Sequence, residues 1–175
     1  ESPVTPAPEQ AKAPAEEKAG QSQAKPGSLA ALMEQDTVLI LALQDRGVSM
    51  GSGFFIAKDT ILTNAHVVGA ASQAVFINKK IGQVRNATVL LRTQEQGLDF
   101  AVLKTDPMDV TPLKISTQTV ERTTKVSAWG YPGMVANSDP KFLKLLHGDA
   151  SSAPEVVYTE GTVSVILDRR PPIIV

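Results

Sequence analysis

Two side chains of this sequence, His66 and Asp99, have the types and the settings that proton-transfer chemistry requires. His66 ends an apolar stretch and has small or apolar neighbours, while Asp99 opens an otherwise apolar strand. An ionised carboxylate at the mouth of a core strand is costly unless it is paired. A neutral imidazole suits it, because one ring nitrogen donates to the carboxylate while the other accepts a proton. We therefore predict that the two groups approach to about 2.6–3.2 Å.

Each of these residues also has a less specific interpretation. Taken alone, His66 could be a hydrogen-bonded core histidine, and Asp99 could be a turn or capping residue after Gly97. The second histidine, His147, precedes Gly148 and is predicted to lie in a surface loop. No ligand spacing joins the two histidines and a carboxylate into a metal site, so we predict neither a metal nor a cofactor.

Composition excludes several other classes of function. The 175 residues carry a net charge of −1, so no basic field is available to bind nucleic acid. Hydrophobic residues make up 42% and charged residues 20%, which is typical of a globular protein. The longest apolar run, at 38–43, is too short to span a bilayer. Because the chain has no cysteine, disulfides, thiolate zinc sites and a cysteine nucleophile are excluded within it.

The segment 1–28 differs in composition from the rest of the chain. It contains five of the twelve prolines, no aromatic residue and one large aliphatic residue, Val4. Such a segment buries too little apolar surface to offset the entropy lost on ordering. We predict that it is a disordered, partly extended linker.

From Leu29 onward the pattern is one of short strands, after a helical turn expected at 29–35. Runs rich in Val, Ile, Leu, Phe and Thr alternate with turn residues, and they predict strands near 37–44, 48–57, 60–65, 73–79, 84–92 and 99–104. Gly51 and Gly53 within a strand indicate a sharp bend or a close approach of the backbone. Six strands at this spacing are typical of a small antiparallel barrel or sandwich.

A second series of strands is predicted near 124–131, 155–167 and 172–175. The residues between them, 134–154, are predicted to form a long surface loop with a short helix at 141–146. This series is too short to close a barrel alone, and a half-built sheet would leave unpaired edges that folded proteins avoid. We therefore expect the chain to be a fragment that lacks a C-terminal piece.

Five segments, in their order along the chain, resemble the motifs of trypsin-like serine proteases, in particular the bacterial HtrA-like branch. They are Gly-Ser-Gly-Phe-Phe-Ile at 51–56, Thr-Asn-Ala-His-Val-Val at 63–68, Leu-Asp-Phe-Ala-Val-Leu at 98–103, Ala-Trp-Gly-Tyr-Pro-Gly at 128–133 and Gly-Thr-Val-Ser-Val-Ile at 161–166. The resemblance implies an all-β, chymotrypsin-like double β-barrel, with the first barrel complete and the second incomplete. It implies the domains 1–28 (linker), 29–115 (first barrel, with His66 and Asp99) and 116–175 (incomplete second barrel).

The same resemblance implies a mechanism and a substrate. His66 would act as general base and then as acid, Asp99 would orient it, and the substrate would be a polypeptide. The family's nucleophile lies in a Gly-[Asp or Asn]-Ser-Gly-Gly loop, which this sequence lacks. The nearest string, at 148–154, lacks the glycines that let two N–H groups point at an oxyanion, and it precedes the last strands. We expect the serine beyond Val175, and the fragment alone to be inactive.

Two other functions are compatible with the sequence. One is a catalytically inactive protease homologue that acts as a binding or scaffold domain. The other is an all-β interaction module unrelated to proteases, in which His66 and Asp99 would lie far apart. The cysteine-free chain and its linker suit a bacterial periplasmic or cell-envelope protein, with an anchor upstream and a further domain downstream. Trp129 is expected in the core between the two barrels.

Overall fold

The computed structural model describes residues 27–45, 47–95, 97–133, 140–167 and 173–174. The predicted linker therefore lies, except for its last two residues, outside the described part of the chain. The described residues include the α-helices α1 (Leu29–Asp36), α2 (Ala65–Val68) and α3 (Pro140–Leu146). Within the described residues, no helix has the length and apolar character needed to cross a lipid bilayer.

Within the described residues, six strands lie before residue 105 and four more follow. The first six are β1 (Thr37–Gln44), β2 (Gly47–Ala57), β3 (Thr60–Thr63), β4 (Gln73–Ile77), β5 (Arg85–Thr93) and β6 (Phe100–Lys104). The others are β7 (Lys125–Gly130), β8 (Val157–Thr162), β9 (Ile166–Leu167) and β10 (Ile173–Ile174). The predicted strand at 155–167 is therefore wrong as one element, because residues 163–165 separate β8 from β9.

The first six strands close into an antiparallel barrel in the order β1-β2-β3-β6-β5-β4, with β4 pairing back onto β1. In the second half, β7 pairs with β8 and β9 with β10, each as a two-stranded antiparallel sheet. The prediction of a β protein with a closed first barrel is confirmed. A closed barrel holds the ends of its strands in a fixed arrangement, so residues at those ends are precisely positioned.

Strand β1 is buried on both of its faces, which explains its uninterrupted apolar sequence. Val38 and Ile40 point into the barrel core, whereas Leu39 and Leu41 belong to a second cluster outside the barrel. On the neighbouring strand β2, a glycine lies next to the inward-pointing side chain of Ile40. A Cβ added to Gly53 would lie 2.6 Å from Cδ1 of Ile40, which confirms the predicted close approach at this glycine.

The cluster outside the barrel, called the outer cluster below, joins the second half of the chain to the barrel. Two predictions about this half are wrong. Phe142 and Leu145 of α3 are buried against Leu39 and Leu41, so the predicted surface loop at 134–154 is in part a packed element. Trp129 is only half-buried and packs on Tyr158, so its predicted core position is wrong. Tyr131 is buried in the same cluster, and its backbone N–H donates to Oγ of Ser52 at 2.7 Å.

Near the junction between α1 and β1, the buried polar side chains of Asn78 and Asp36 differ in their hydrogen bonding. The Asn78 amide donates to the carbonyls of Glu34, Gln35 and Thr37 (2.8–3.1 Å) and accepts from the N–H of Ile81 (2.7 Å). Asp36 is 0% exposed, and neither of its carboxylate oxygens makes a hydrogen bond within the described residues. Burial raises the pKa of Asp36 from 3.8 to about 6, although the nearby backbone N–H of Thr111 partly opposes the rise.

We predict that Asp36→Asn raises the midpoint of thermal unfolding at about pH 7.5 and has little effect near pH 4. Because the folded-state pKa of Asp36 lies above its unfolded value, the folded state holds the proton more tightly between those two values. Stability is therefore lost as the pH rises through this window, and a neutral amide removes that loss.

The measurement is thermal unfolding followed by circular dichroism at several pH values, with Asp106→Asn at an exposed position as the matched control. The control should leave the pH profile unchanged. An Asp36→Asn variant whose pH profile parallels that of the wild type would contradict the assignment.

Candidate active site

His66 lies on the short helix α2, and the strand predicted near 60–65 ends earlier than expected, at Thr63. Strand β3 ends at Thr63, and Asn64 then adopts an extended backbone (φ −81°, ψ 146°) from which α2 begins. Asparagine is a preferred residue at this boundary, and Gly69 follows the helix in a positive-φ conformation (51°). These two residues were the signal in the sequence for a helical turn around His66.

The pairing of β3 with β6 explains why His66 and Asp99 meet. The two strands are antiparallel, and Thr63 lies opposite Ala101. The end of β3, which leads to His66, therefore lies beside the start of β6, which Asp99 precedes. Asn64 adds a direct link, since its Nδ2 donates to the backbone carbonyl of Asp99 at 2.9 Å.

The Asp99 carboxylate holds His66 at two points. Nδ1 of the His66 ring lies 2.5 Å from Oδ2 of Asp99, and the backbone N–H of His66 donates to Oδ1 at 3.0 Å. The predicted contact is therefore present, at a separation just below the expected range of about 2.6–3.2 Å. An ionised carboxylate is only an acceptor, so Nδ1 carries the proton and Nε2 of a neutral ring is left as an acceptor.

The environment of the pair keeps Asp99 ionised. The hydrogen bond with the His66 side chain is the largest cause that lowers the pKa of Asp99, and partial burial opposes it. The backbone N–H groups of His66 and Ala65 lower the pKa further. The side chains are open to solvent, with 62% of His66 and 36% of Asp99 exposed. Chemically, this arrangement can take a proton at Nε2 and stabilise the resulting imidazolium.

A cavity of about 490 Å³ opens beside Asp99, between α1, the barrel and β7. Its walls are mainly apolar, with Met33, Phe54, Leu62, Leu113 and Trp129 among the lining side chains. Asp99 forms part of its wall, so the cavity lies next to the His66–Asp99 pair. The half-buried position of Trp129 is explained by its place on this wall.

Close packing behind the histidine fixes the adjoining backbone. A Cβ added to Gly51 would lie 2.4 Å from Cγ2 of Val67, the residue that follows His66. The close approach that the glycines predicted is therefore confirmed at Gly51 as well. Thr63 is held in turn, because its Oγ1 donates to the carbonyl of Ser52 at 2.7 Å.

Other candidate residues lie outside this arrangement. The string at 148–154 forms a 3₁₀ turn at Ala150–Ser152, where the hydroxyls of Ser151 and Ser152 donate to the Asp149 carboxylate and not to His66. His147 is exposed after the end of α3. Among the described residues, no group of three or more His, Asp or Glu side chains has the arrangement of a metal site.

The family model for the trypsin-like peptidase domain matches residues 51–171, a range that includes both His66 and Asp99. In a comparison with curated proteins, none matches the chain. Solved structures of proteases match the fold at low sequence identity. The Rv3671c protease from M. tuberculosis in its active form aligns with a TM-score of 0.58 and 21% identity, over 82% of this chain and 58% of that one.

Two further structures show the same likeness. The serine endoprotease from Yersinia pestis aligns with a TM-score of 0.56 and 23% identity, over 75% of this chain and 41% of that one. The HtrA-type protease AlgW with tripeptide aligns with a TM-score of 0.59 and 21% identity, over 78% and 38%. The chain thus spans between about two-fifths and three-fifths of these proteins. From the match of the family model over most of its length, this chain belongs to the trypsin-like peptidase domain family.

Proposed function

We propose that this chain supplies the histidine and aspartate of a serine endopeptidase, with His66 as general base and acid and Asp99 as the group that orients it. The observation that carries the proposal is the contact between Nδ1 of His66 and Oδ2 of Asp99 at 2.5 Å. Membership of a serine-type peptidase family supports polypeptides as the substrate class.

The proposed reaction uses the free ring nitrogen twice. Nε2 of His66 takes the proton of the serine hydroxyl as its oxygen attacks the peptide carbonyl, and the imidazolium then protonates the leaving amine. Water repeats the sequence on the acyl-enzyme, which returns the serine to its starting state. Asp99 remains ionised throughout and stabilises the imidazolium, in agreement with the lowered pKa of this carboxyl.

We propose that the nucleophilic serine lies outside these 175 residues. The sequence contains no Gly-[Asp or Asn]-Ser-Gly-Gly string. In the string that most resembles this motif, at 148–154, the hydroxyls of Ser151 and Ser152 donate to the Asp149 carboxylate and not to His66. The partial coverage of the matched proteases agrees with this proposal. Without the nucleophile, the 175-residue chain should form no acyl-enzyme.

In a protein that carries this domain together with the proposed serine, we predict that His66→Ala reduces labelling by a serine-directed fluorophosphonate by about 10³-fold or more, because the serine loses its base. The measurement is the rate of covalent labelling, followed by mass spectrometry. His147→Ala is the matched control, because it removes the chain's other histidine at an exposed position.

Two results would refute this assignment. Unchanged labelling in His66→Ala would show that this residue is not the base. A wild-type protein without any labelled serine would favour the alternative, a catalytically inactive homologue used for binding.

A second prediction concerns the 175-residue chain itself. We predict that His66→Ala raises the pKa of Asp99, because it removes the hydrogen bond that lowers this pKa most. The measurement is a titration of the side-chain carboxyl carbons by NMR. Asp59 serves as an internal control, because its pKa is lowered by Lys104 and Thr60 and should not respond. An Asp99 titration identical in the two proteins would show that the ring does not bind the carboxylate in solution.

A further inference from the structure

The carbonyls at the C-terminal end of α2 and in the turn after it are bound by side chains from the barrel. Within the backbone, the N–H of Gly69 donates to the carbonyl of Ala65 at 2.8 Å. Ser49 donates its hydroxyl to the carbonyl of Val67 (2.8 Å), and Gln44 donates Nε2 to that of Val68 (2.7 Å). Further along the turn, Arg92 donates through Nη1 to the carbonyls of Gly69 and Ala71, at 2.8 Å each.

A helix of four residues cannot maintain its own position. Short helices are unstable in isolation because nucleation fixes several residues for one hydrogen bond. The chain contains no cysteine, so no disulfide ties this turn to the barrel. The side chains of Gln44, Ser49 and Arg92 come from β1, β2 and β5, and together they attach the end of α2 to three strands.

The conformation of Gly69 shows that the turn is shaped around one of these side chains. Its φ of 51° is accessible to glycine at little cost. A Cβ at Gly69 would lie 2.6 Å from Oε1 of Gln44, so the amide occupies space that only glycine leaves free. The turn and the Gln44 side chain therefore fit each other closely.

Arg92 also connects the turn after His66 to β6, the strand that begins directly after Asp99. On β5 it lies opposite Ala101 of β6, two positions after Asp99. Its guanidinium meanwhile binds the turn that follows His66. One side chain thus couples the backbone that carries the base to the backbone that carries the carboxylate.

We propose that Arg92, assisted by Gln44 and Ser49, is a positioning residue that holds the His66 ring on Asp99. The ring is largely exposed, and within the described residues Asp99 is its one hydrogen-bond partner. The orientation of the ring therefore depends on the orientation of α2, which these side chains fix. The consequence for catalysis rests on the proposed function, but the geometric role does not.

The test is NMR spectroscopy of the 175-residue chain, which needs no nucleophile. The first readout is the low-field proton resonance of Nδ1–H in the His66–Asp99 hydrogen bond, and the second is hydrogen exchange at the Gly69 N–H. In Arg92→Ala we expect the low-field resonance to be lost or broadened and the Gly69 exchange to become about tenfold faster. Arg92→Lys should restore part of both signals, because an ammonium group can still donate to carbonyls.

Arg122→Ala is the matched control, because Arg122 is also an exposed arginine that donates to one carbonyl, that of Ser164 at 3.1 Å, in the second half of the chain. Both readouts should stay at their wild-type values in this control. A low-field resonance that is present in the wild type and unchanged in Arg92→Ala would overturn the positioning role while leaving the proposed function intact. A wild-type chain without the resonance would overturn the paired state itself, and with it both proposals.

If Arg92→Ala fails to fold, Ser49→Ala provides the same test with a smaller perturbation. It removes one hydroxyl and its bond to the carbonyl of Val67. The resonance should broaden and the Gly69 exchange should accelerate, by a smaller factor than in Arg92→Ala. Wild-type values for both readouts in a folded Ser49→Ala variant would again overturn the proposal.

Discussion

The antiparallel pairing of β3 with β6 is the constraint on which the candidate site depends. It places the end of one strand beside the beginning of the other, and His66 and Asp99 lie just beyond those two points. Because both strands belong to a closed barrel, neither can slide without disturbing its other neighbours. The contact between an imidazole and a carboxylate far apart in the sequence is thus a consequence of barrel register, completed by local bonds at Asn64 and at the His66 backbone.

The outer cluster gives the second half of the chain its attachment to this barrel. Leu39 and Leu41 point away from the barrel core. They pack with three residues of the second half of the chain: Tyr131, Phe142 and Leu145. The strand β7 and the cavity wall at Trp129 are consequently held near Asp99 by apolar contacts on the far side of β1. Burial of apolar surface contributes to this attachment, and so does the hydrogen bond from the Tyr131 backbone N–H to Ser52.

Much of the architecture follows from the sequence pattern, because strands of alternating or continuous apolar residues between turn residues are a local signal. The types of His66 and Asp99, together with the resemblance of the motifs around them to trypsin-like proteases, predicted their contact. The helical turn at His66 was missed because four residues are too few for a helical period. The burial of Tyr131 in place of Trp129 depends on a bond to Ser52, from a distant strand, that no local pattern reveals. The bonds of Arg92 to the turn after α2 are likewise tertiary contacts, and no spacing rule predicts them.

The double-sided burial of β1 has a consequence for how its alignment is specified. In a strand with one buried face, a shift of one residue would expose the apolar side chains, and water enforces the alignment. In β1 such a shift would exchange one apolar row for another, so hydrophobicity alone barely distinguishes the two alignments. Steric fit distinguishes the two alignments instead. Gly53 of β2 has no side chain, and the Ile40 side chain occupies the space that this leaves. A shifted alignment would place Ile40 away from this space. The pairing register of β1 is thus specified by steric fit and not by the pattern of apolar and polar residues.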